Sequence, residues 1–261
     1  MTVTPITWTN TNAFTITWSN PADLAGIGGA YYKFNSAPAS PADGTLISGD
    51  GLTSLNGISA PGNGIHTVYV WLRDRAGNVD HTRYATVTVY YNGTGAGVPI
   101  GLTAIPSAWT PTNAFTLTWT NPTSLAGIAG AYYKVGSAPA SPTDGTFVAG
   151  QNLQTIAGLS VSGPGAFPAY VWLRDNAGNV DHQNRAETTL RYDALAPTLS
   201  AVFTSTTHIT NTWTPTRTIE VRWGAATEAH SGLAGYALVW DQITNTVPAA
   251  ITTTLGLTGT F

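Results

Sequence analysis

The sequence predicts an all-β chain of tandem β-sandwiches, two complete and a third incomplete. Three observations carry this. The chain repeats itself with a period of 101 residues, apolar residues alternate with polar ones at a spacing of two, and turn signals recur between the alternating runs. Trp8-Thr-Asn-Thr-Asn-Ala-Phe14-Thr-Ile16-Thr-Trp18 returns as Trp109-Thr-Pro-Thr-Asn-Ala-Phe115-Thr-Leu117-Thr-Trp119. Tyr69 to His81 likewise returns as Tyr170 to His182 without an insertion. Roughly 50 of 85 aligned positions are identical between the two copies. A third copy opens at Trp213-Thr-Pro-Thr and runs through Trp223 and Tyr236 to Phe261, about two-thirds of a repeat. The expected domains are therefore 1–95, 96–197 and a partial 198–261.

Within the first copy, Phe14, Ile16 and Trp18 alternate with Thr15 and Thr17, the pattern of a half-buried strand, which Asn20-Pro21 ends. Glycines Gly26, Gly28 and Gly29 lead into a strand over Ala30–Phe34. An Ala-, Pro- and Ser-rich loop from Ser36 to Pro41 follows, with a turn at Asp43-Gly44. Thr53–Ile58 reads as a further strand. Pro61-Gly-Asn-Gly64 turns the chain into the long run His66–Arg73, Ala76-Gly77-Asn78 marks a hairpin, and a last strand is expected from about Val79 to Tyr91. Seven or so short strands per repeat are what a sandwich needs. In the third copy, strands are expected over Thr218–Trp223 and Gly235–Trp240 and near Leu255. No counterpart of Val68–Asp74 follows before Phe261, so this copy is not expected to close its own core. Truncation of a longer array, or completion by a strand from another molecule with Val3–Trp8 as donor, would account for that.

The run Gly26-Ile-Gly-Gly-Ala-Tyr-Tyr32, Leu55-Asn-Gly-Ile58, and Leu72-Arg-Asp-Arg-Ala-Gly-Asn78 resemble bacterial fibronectin type III and related Ig-like modules. Ser231-Gly-Leu-Ala-Gly-Tyr236 in the third copy is similar to them again. The resemblance implies a sandwich fold and a place in extracellular or cell-surface proteins, and a fold of this kind hosts many functions. One departure is visible: the tyrosine-corner position of such modules holds His66 in the first copy and Phe167 in the second.

Composition narrows the function classes. Only 9% of residues are charged, the net charge is −3, and the only lysines are Lys33 and Lys134, at equivalent positions of the repeat. Nucleic-acid binding needs a basic stripe, which this sequence lacks. The chain has no cysteine, which excludes disulfides, thiolate metal sites and a cysteine nucleophile. Met-Thr-Val-Thr-Pro carries no basic or apolar leader region, and no apolar run is long enough to cross a membrane as a helix, so no signal peptide and no membrane insertion are expected here. Asn92-Gly-Thr is a glycosylation sequon.

Aligning the third strand across copies points Ala30, Tyr32 and Phe34, with Tyr236, Leu238 and Trp240, inward. On the sixth strand Val68, Val70 and Leu72 face inward. The expected core is Phe14, Ile16, Trp18, Val70 and Leu72, with Phe115, Leu117, Trp119, Val171 and Leu173. The other face then displays Tyr31, Lys33, Tyr69, Trp71 and Arg73, duplicated as Tyr132, Lys134, Tyr170, Trp172 and Arg174. Such rings and cations form a candidate contact face for another protein domain, a copy of the chain, or a carbohydrate. Cross-strand packing with Lys and Arg stems over the rings is the plainer account of the same residues. Asp74, Asn78 and Asp80, with Asp175, Asn179 and Asp181, offer oxygen ligands to Ca²⁺, but their spacing fits a hairpin turn better. His81 and His182 follow Asp80 and Asp181 with no partner motif, and read as strand-edge residues. No catalytic constellation, cofactor site or metal site is expected. The reading is of a non-catalytic structural or adhesive segment, a spacer or a repeat that assembles; a carbohydrate-binding accessory module of a secreted hydrolase and a fibre subunit completed by strand exchange are the alternatives.

Overall fold

Threonine alternating with large apolar residues produces the first sheet, because successive side chains of a strand point to opposite faces. In the computed structural model, which describes residues 1–200, 202–209, 211–243, 246–249 and 253–260, β1 (Thr2–Thr4) pairs with β2 (Phe14–Thr17), opposing Val3 to Ile16. The next elements are β3 (Ile27–Phe34), β4 (Thr45–Ser48), β5 (Ser54–Ile58), β6 (Gly64–Asp74) and β7 (Ala85–Tyr91). One antiparallel sheet runs β1-β2-β5 and the other β4-β3-β6-β7. Val3, Phe14, Ile16, Leu55 and Ile58 of the first sheet meet Ala30, Val68, Val70 and Val89 of the second in one buried core.

The second repeat builds the same set of strands: β8 (Ile100–Ile105), β9 (Phe115–Thr120), β10 (Ile128–Val135), β11 (Thr146–Ala149), β12 (Thr155–Leu159), β13 (Gly165–Asp175) and β14 (Ala186–Tyr192). Its sheets run β12-β9-β8 and β11-β10-β13-β14, the orders of the first repeat. The fold is all-β, with tandem two-sheet sandwiches. The chain divides into two compact units. One comprises Met1–Ile105, Thr116–Ala157 and Pro168–Thr189, and the other Pro106–Phe115, Gly158–Phe167 and Leu190–Phe261.

Several expectations are corrected. Trp18 and Leu72 are only partly buried against the core, whereas Trp119 and Leu173 are buried. The last strand of the repeat begins at Ala85, six residues after Val79. Val79 makes only an isolated bridge to Arg73. Beyond it the Asp80 carboxylate accepts from the Thr82 backbone N–H (3.0 Å) and hydroxyl (2.6 Å), which winds the segment into a turn. At the corner position, His66 Nε2 lies 2.7 Å from the Gly62 carbonyl oxygen. Nε2 donates to that oxygen when it carries the proton. Phe167 has no polar atom to do the same.

In the third repeat, β15 (Phe203–Ser205), β16 (Glu220–Trp223) and β17 (Thr258–Thr260) form one three-stranded sheet in that order. Among the described residues, the strand expected over Gly235–Trp240 shows one bridge, between Tyr236 and Thr254, and Trp240, expected inward, is 57% exposed. Leu255 is exposed and lies before β17. Phe203, Val247 and Leu255 are open to solvent.

Candidate functional site

The register of β3 against β6 places the predicted face residues together. Tyr31 opposes Trp71, Lys33 opposes Tyr69, and Gly29 opposes Arg73. The same pairs recur between β10 and β13, with Tyr132 opposite Trp172 and Lys134 opposite Tyr170. Their exposure is another matter. Trp71 and Trp172, expected to point into solvent, are fully buried. Tyr170 is buried as well, and Tyr31, Lys33, Tyr69, Arg73, Tyr132, Lys134 and Arg174 are half-buried.

What covers the tryptophans is the chain's own loop between β3 and β4. Trp71 Nε1 donates to the Pro41 carbonyl at 2.9 Å, and Trp172 Nε1 to that of Pro142 at 2.7 Å. Gly44 and Gly145 lie so close over the indoles that a Cβ at either position would collide with the ring. The strap is pinned at its end. Lys33 Nζ reaches Asp43 Oδ2 at 2.8 Å, and the same oxygen accepts the Ala39 N–H at 2.6 Å. Lys134, Asp144 and Ala140 repeat this at 2.8 and 2.7 Å. The two lysines of the chain are thus fasteners of a loop.

From below, Tyr31 stacks on Trp71 with ring centres 5.4 Å apart and planes at 8°, and Tyr132 on Trp172 at 5.5 Å and 11°. A sugar needs an open ring face. Here the ring faces are taken by a tyrosine and by the strap. Tyr69 packs edge-on against Tyr84 at 5.1 Å, while in the second repeat Arg185, at the position of Tyr84, lies over the Tyr170 ring at 5.8 Å. Arg174 lies over Phe147 at 5.4 Å.

The hydrogen bonds from Lys33 and then from the Ala39 N–H hold the Asp43 carboxyl below its ordinary value of 3.8, and Lys134 and Ala140 do the same for Asp144. A carboxyl whose pKa is lower in the folded state adds stability that is complete above its unfolded value and is lost as pH falls through the folded one. Acid should therefore loosen both straps. Denaturation midpoints measured from neutral pH down to roughly pH 2 should fall less steeply in the Asp43→Asn, Asp144→Asn double variant than in the parent. Equal slopes would show that the straps do not depend on these charges.

The second arrangement is the Asp-x-x-x-Asn hairpin. Asp74 accepts from the Asn78 N–H and from Asn78 Nδ2, both at 2.7 Å, around Gly77 at φ 93°. The carboxamide of Asn78 is the main cause of a lowered Asp74 pKa. These are the bonds of a turn. Among the described residues no group of three His, Cys, Asp or Glu side chains stands together as a metal site.

In the second repeat the same hairpin does more. Asp175 accepts from the Asn179 N–H and from Asn179 Nδ2, both at 2.8 Å, and also from Asn92 Nδ2, at the end of the first repeat, at 2.9 Å. Asn179 Nδ2 in turn donates to the Asn92 carbonyl at 2.8 Å. Asn184 Nδ2 donates to the Ala96 carbonyl at 3.2 Å. Asn92 is 3% and Asp175 1% exposed, so a closed polar cluster is buried where the first repeat meets the second. The sequon asparagine is thereby occupied. Its amide nitrogen is a buried donor, out of reach of a glycan.

No protein-family profile matches the chain and no curated protein sequence does. Solved structures with a similar fold include the fibronectin(III)-like modules of Clostridium thermocellum CbhA, at 14% identity, TM-score 0.36, over 73% of this chain and 94% of that one. The FN1-FN3 domains of chicken CNTN1 give 15% identity and TM-score 0.36, over 71% of this chain and 64% of theirs. A tetra-tandem repeat in the extending region of a large adhesion protein gives 17% and 0.31, over 85% of this chain and 54% of that one.

Proposed function

We propose that this chain is a non-catalytic spacer segment of an extracellular or cell-surface protein, built so that consecutive sandwiches are held stiffly end to end. The observation that carries the reading is the buried Asn92–Asp175–Asn179 cluster. A linker that only tethers has no reason to bury the Asp175 carboxylate and the Asn92 carboxamide, since each buried polar group is costly unless fully bonded. Once bonded, the cluster fixes one geometry, because every alternative orphans a donor or acceptor. Glycine and alanine in Gly93–Gly97 let the linker lie close, where longer side chains would prop the repeats apart. The self-covered tryptophans add to this reading, since they spend their surface on stiffening each sandwich.

Rotational diffusion tests it. Backbone ¹⁵N relaxation should report a single tumbling tensor for residues 1–91 and 100–189 in the parent, and separate tensors after Asn92→Ala. Independent tumbling in the parent would make the segment a flexible tether.

A further inference from the structure

The first repeat carries the receiving half of the same joint, and it is open. A cleft at that end of the sandwich is lined by Pro21, Ile27, Asp74, Asn78, Asp80 and Arg83. One period on, Pro122, Ile128, Asp175, Asn179, Asp181 and Asn184 occupy the same positions of the second repeat, five of the six being identical. There the cleft is filled by Asn92–Gly97. Asn92 bonds to Asp175 and Asn179, and Ala96 to Asn184. A Cβ on Gly95 would stand 3.8 Å from Asn179 Cβ and 3.9 Å from Asp181 Cβ, and one on Gly97 3.5 Å from Pro122 Cβ. In the first repeat Asp74 holds Asn78 in the same turn, at 2.7 Å, ready to accept a further donor where Asp175 accepts Asn92.

We propose that this cleft binds the strand end and linker of a further sandwich of the same repeat type, one with asparagine at the Asn92 position followed by Gly-Thr-Gly-Ala-Gly. The proposal rests on the reading of the Asn92 joint given above. The choice of occupant follows from donor chemistry. Asp74 is an acceptor, so its partner must donate, as a carboxamide does and a carboxylate does not. The end of the second repeat is unsuited on that ground. Its counterpart of Asn92 is Asp193, whose carboxylate instead accepts the backbone N–H groups of Leu195 at 3.0 Å and Ser231 at 3.2 Å. A side-chain hydrogen bond with Ser231, and then the Leu195 N–H, hold the Asp193 carboxyl below its ordinary value. Repeat ends thus come in two kinds. An asparagine end fits an Asp/Asn hairpin, and an aspartate end fits backbone donors. The lining differs at Ala22, Asp23 and Arg83, which stand where the second repeat has Thr123, Ser124 and Asn184, and Arg83 pairs with Asp80 at 3.2 Å where Asn184 donates to the incoming Ala96 carbonyl.

The test titrates the ¹⁵N-labelled full chain with a synthetic peptide of residues 90–98, Tyr-Tyr-Asn-Gly-Thr-Gly-Ala-Gly-Val. Saturable shifts are expected for the Asn78 carboxamide and for backbone amides from Leu72 to Arg83. A peptide with aspartate replacing its asparagine should bind about tenfold more weakly, the loss of roughly one charge-assisted hydrogen bond. Arg83→Asn should tighten binding about threefold by restoring the donor of the second repeat, and it leaves the Asp74 turn intact. Asp74→Asn should abolish the shifts while the amides of the second repeat keep their positions. Absence of shifts at about 5 mM peptide in both the parent and Arg83→Asn would overturn the proposal, as would equal binding of the two peptides. Either result would leave the Asn92 joint, which is tested by relaxation, standing on its own.

Discussion

Trp71→Ala should lower the stability of the first sandwich by about 3–5 kcal/mol, the largest effect expected of any single substitution in it. The indole is fully buried. Its removal leaves a cavity beneath the strap, strips Tyr31 of its stacking partner and orphans the Pro41 carbonyl. Trp18→Ala should cost less, because Trp18 is only partly buried and its indole N–H is bonded locally to Asn20 Oδ1 at 2.8 Å. Urea denaturation, following the transition of the first repeat, checks both. A loss below about 1 kcal/mol for Trp71→Ala would mean that the strap does not close over the ring in solution.

The second large effect is expected at Asp175. Asp175→Ala leaves the buried Asn92 Nδ2 and the part-buried Asn179 N–H without an acceptor, and weakens the hold on Asn179 Nδ2. At about 1–3 kcal/mol per orphaned donor, the total should reach about 3 kcal/mol or more. Asp74→Ala removes the same turn bonds with no neighbouring repeat attached, and its effect should be clearly smaller. The comparison is internal to one molecule. Equal effects at the two positions would assign the whole of the loss to the turn and none to the joint.

The β3–β6 register was legible in the sequence because two copies and a fragment of a third had to satisfy one alternation. Ala30, Tyr32 and Phe34 did fall on the core side, with Tyr31, Lys33, Tyr69, Trp71 and Arg73 on the other. Alternation fixes the face of a sheet on which a side chain lies. It does not say what else lies on that face. The strap over Trp71 has no periodicity, and only its end left a trace, the Asp-Gly pair kept at Asp43-Gly44 and Asp144-Gly145 beside the kept lysines. The joint was less legible still. Asn92 and Asp175 are 83 residues apart and meet only after both sandwiches have folded. Read locally, one is a sequon and the other a turn residue. The third repeat shows the opposite limit: Glu220–Trp223 forms a strand as its pattern predicts, while Gly235–Trp240, with the same kind of pattern, shows one bridge among the described residues, between Tyr236 and Thr254.

The central claim, that consecutive sandwiches are locked by a bonded cluster and not merely tethered, is tested most directly by a double-mutant cycle between Asn92 and Asp175. Asn92→Ala, Asp175→Ala and the double variant are unfolded in parallel with the parent, and the coupling is taken from the four stabilities. Two groups bonded at 2.9 Å in a buried cluster should be coupled by about 1–3 kcal/mol, with the double variant far less damaged than the sum of the single ones. Additive losses, within about 0.3–0.5 kcal/mol, would mean that the two side chains do not meet in solution and would contradict the account.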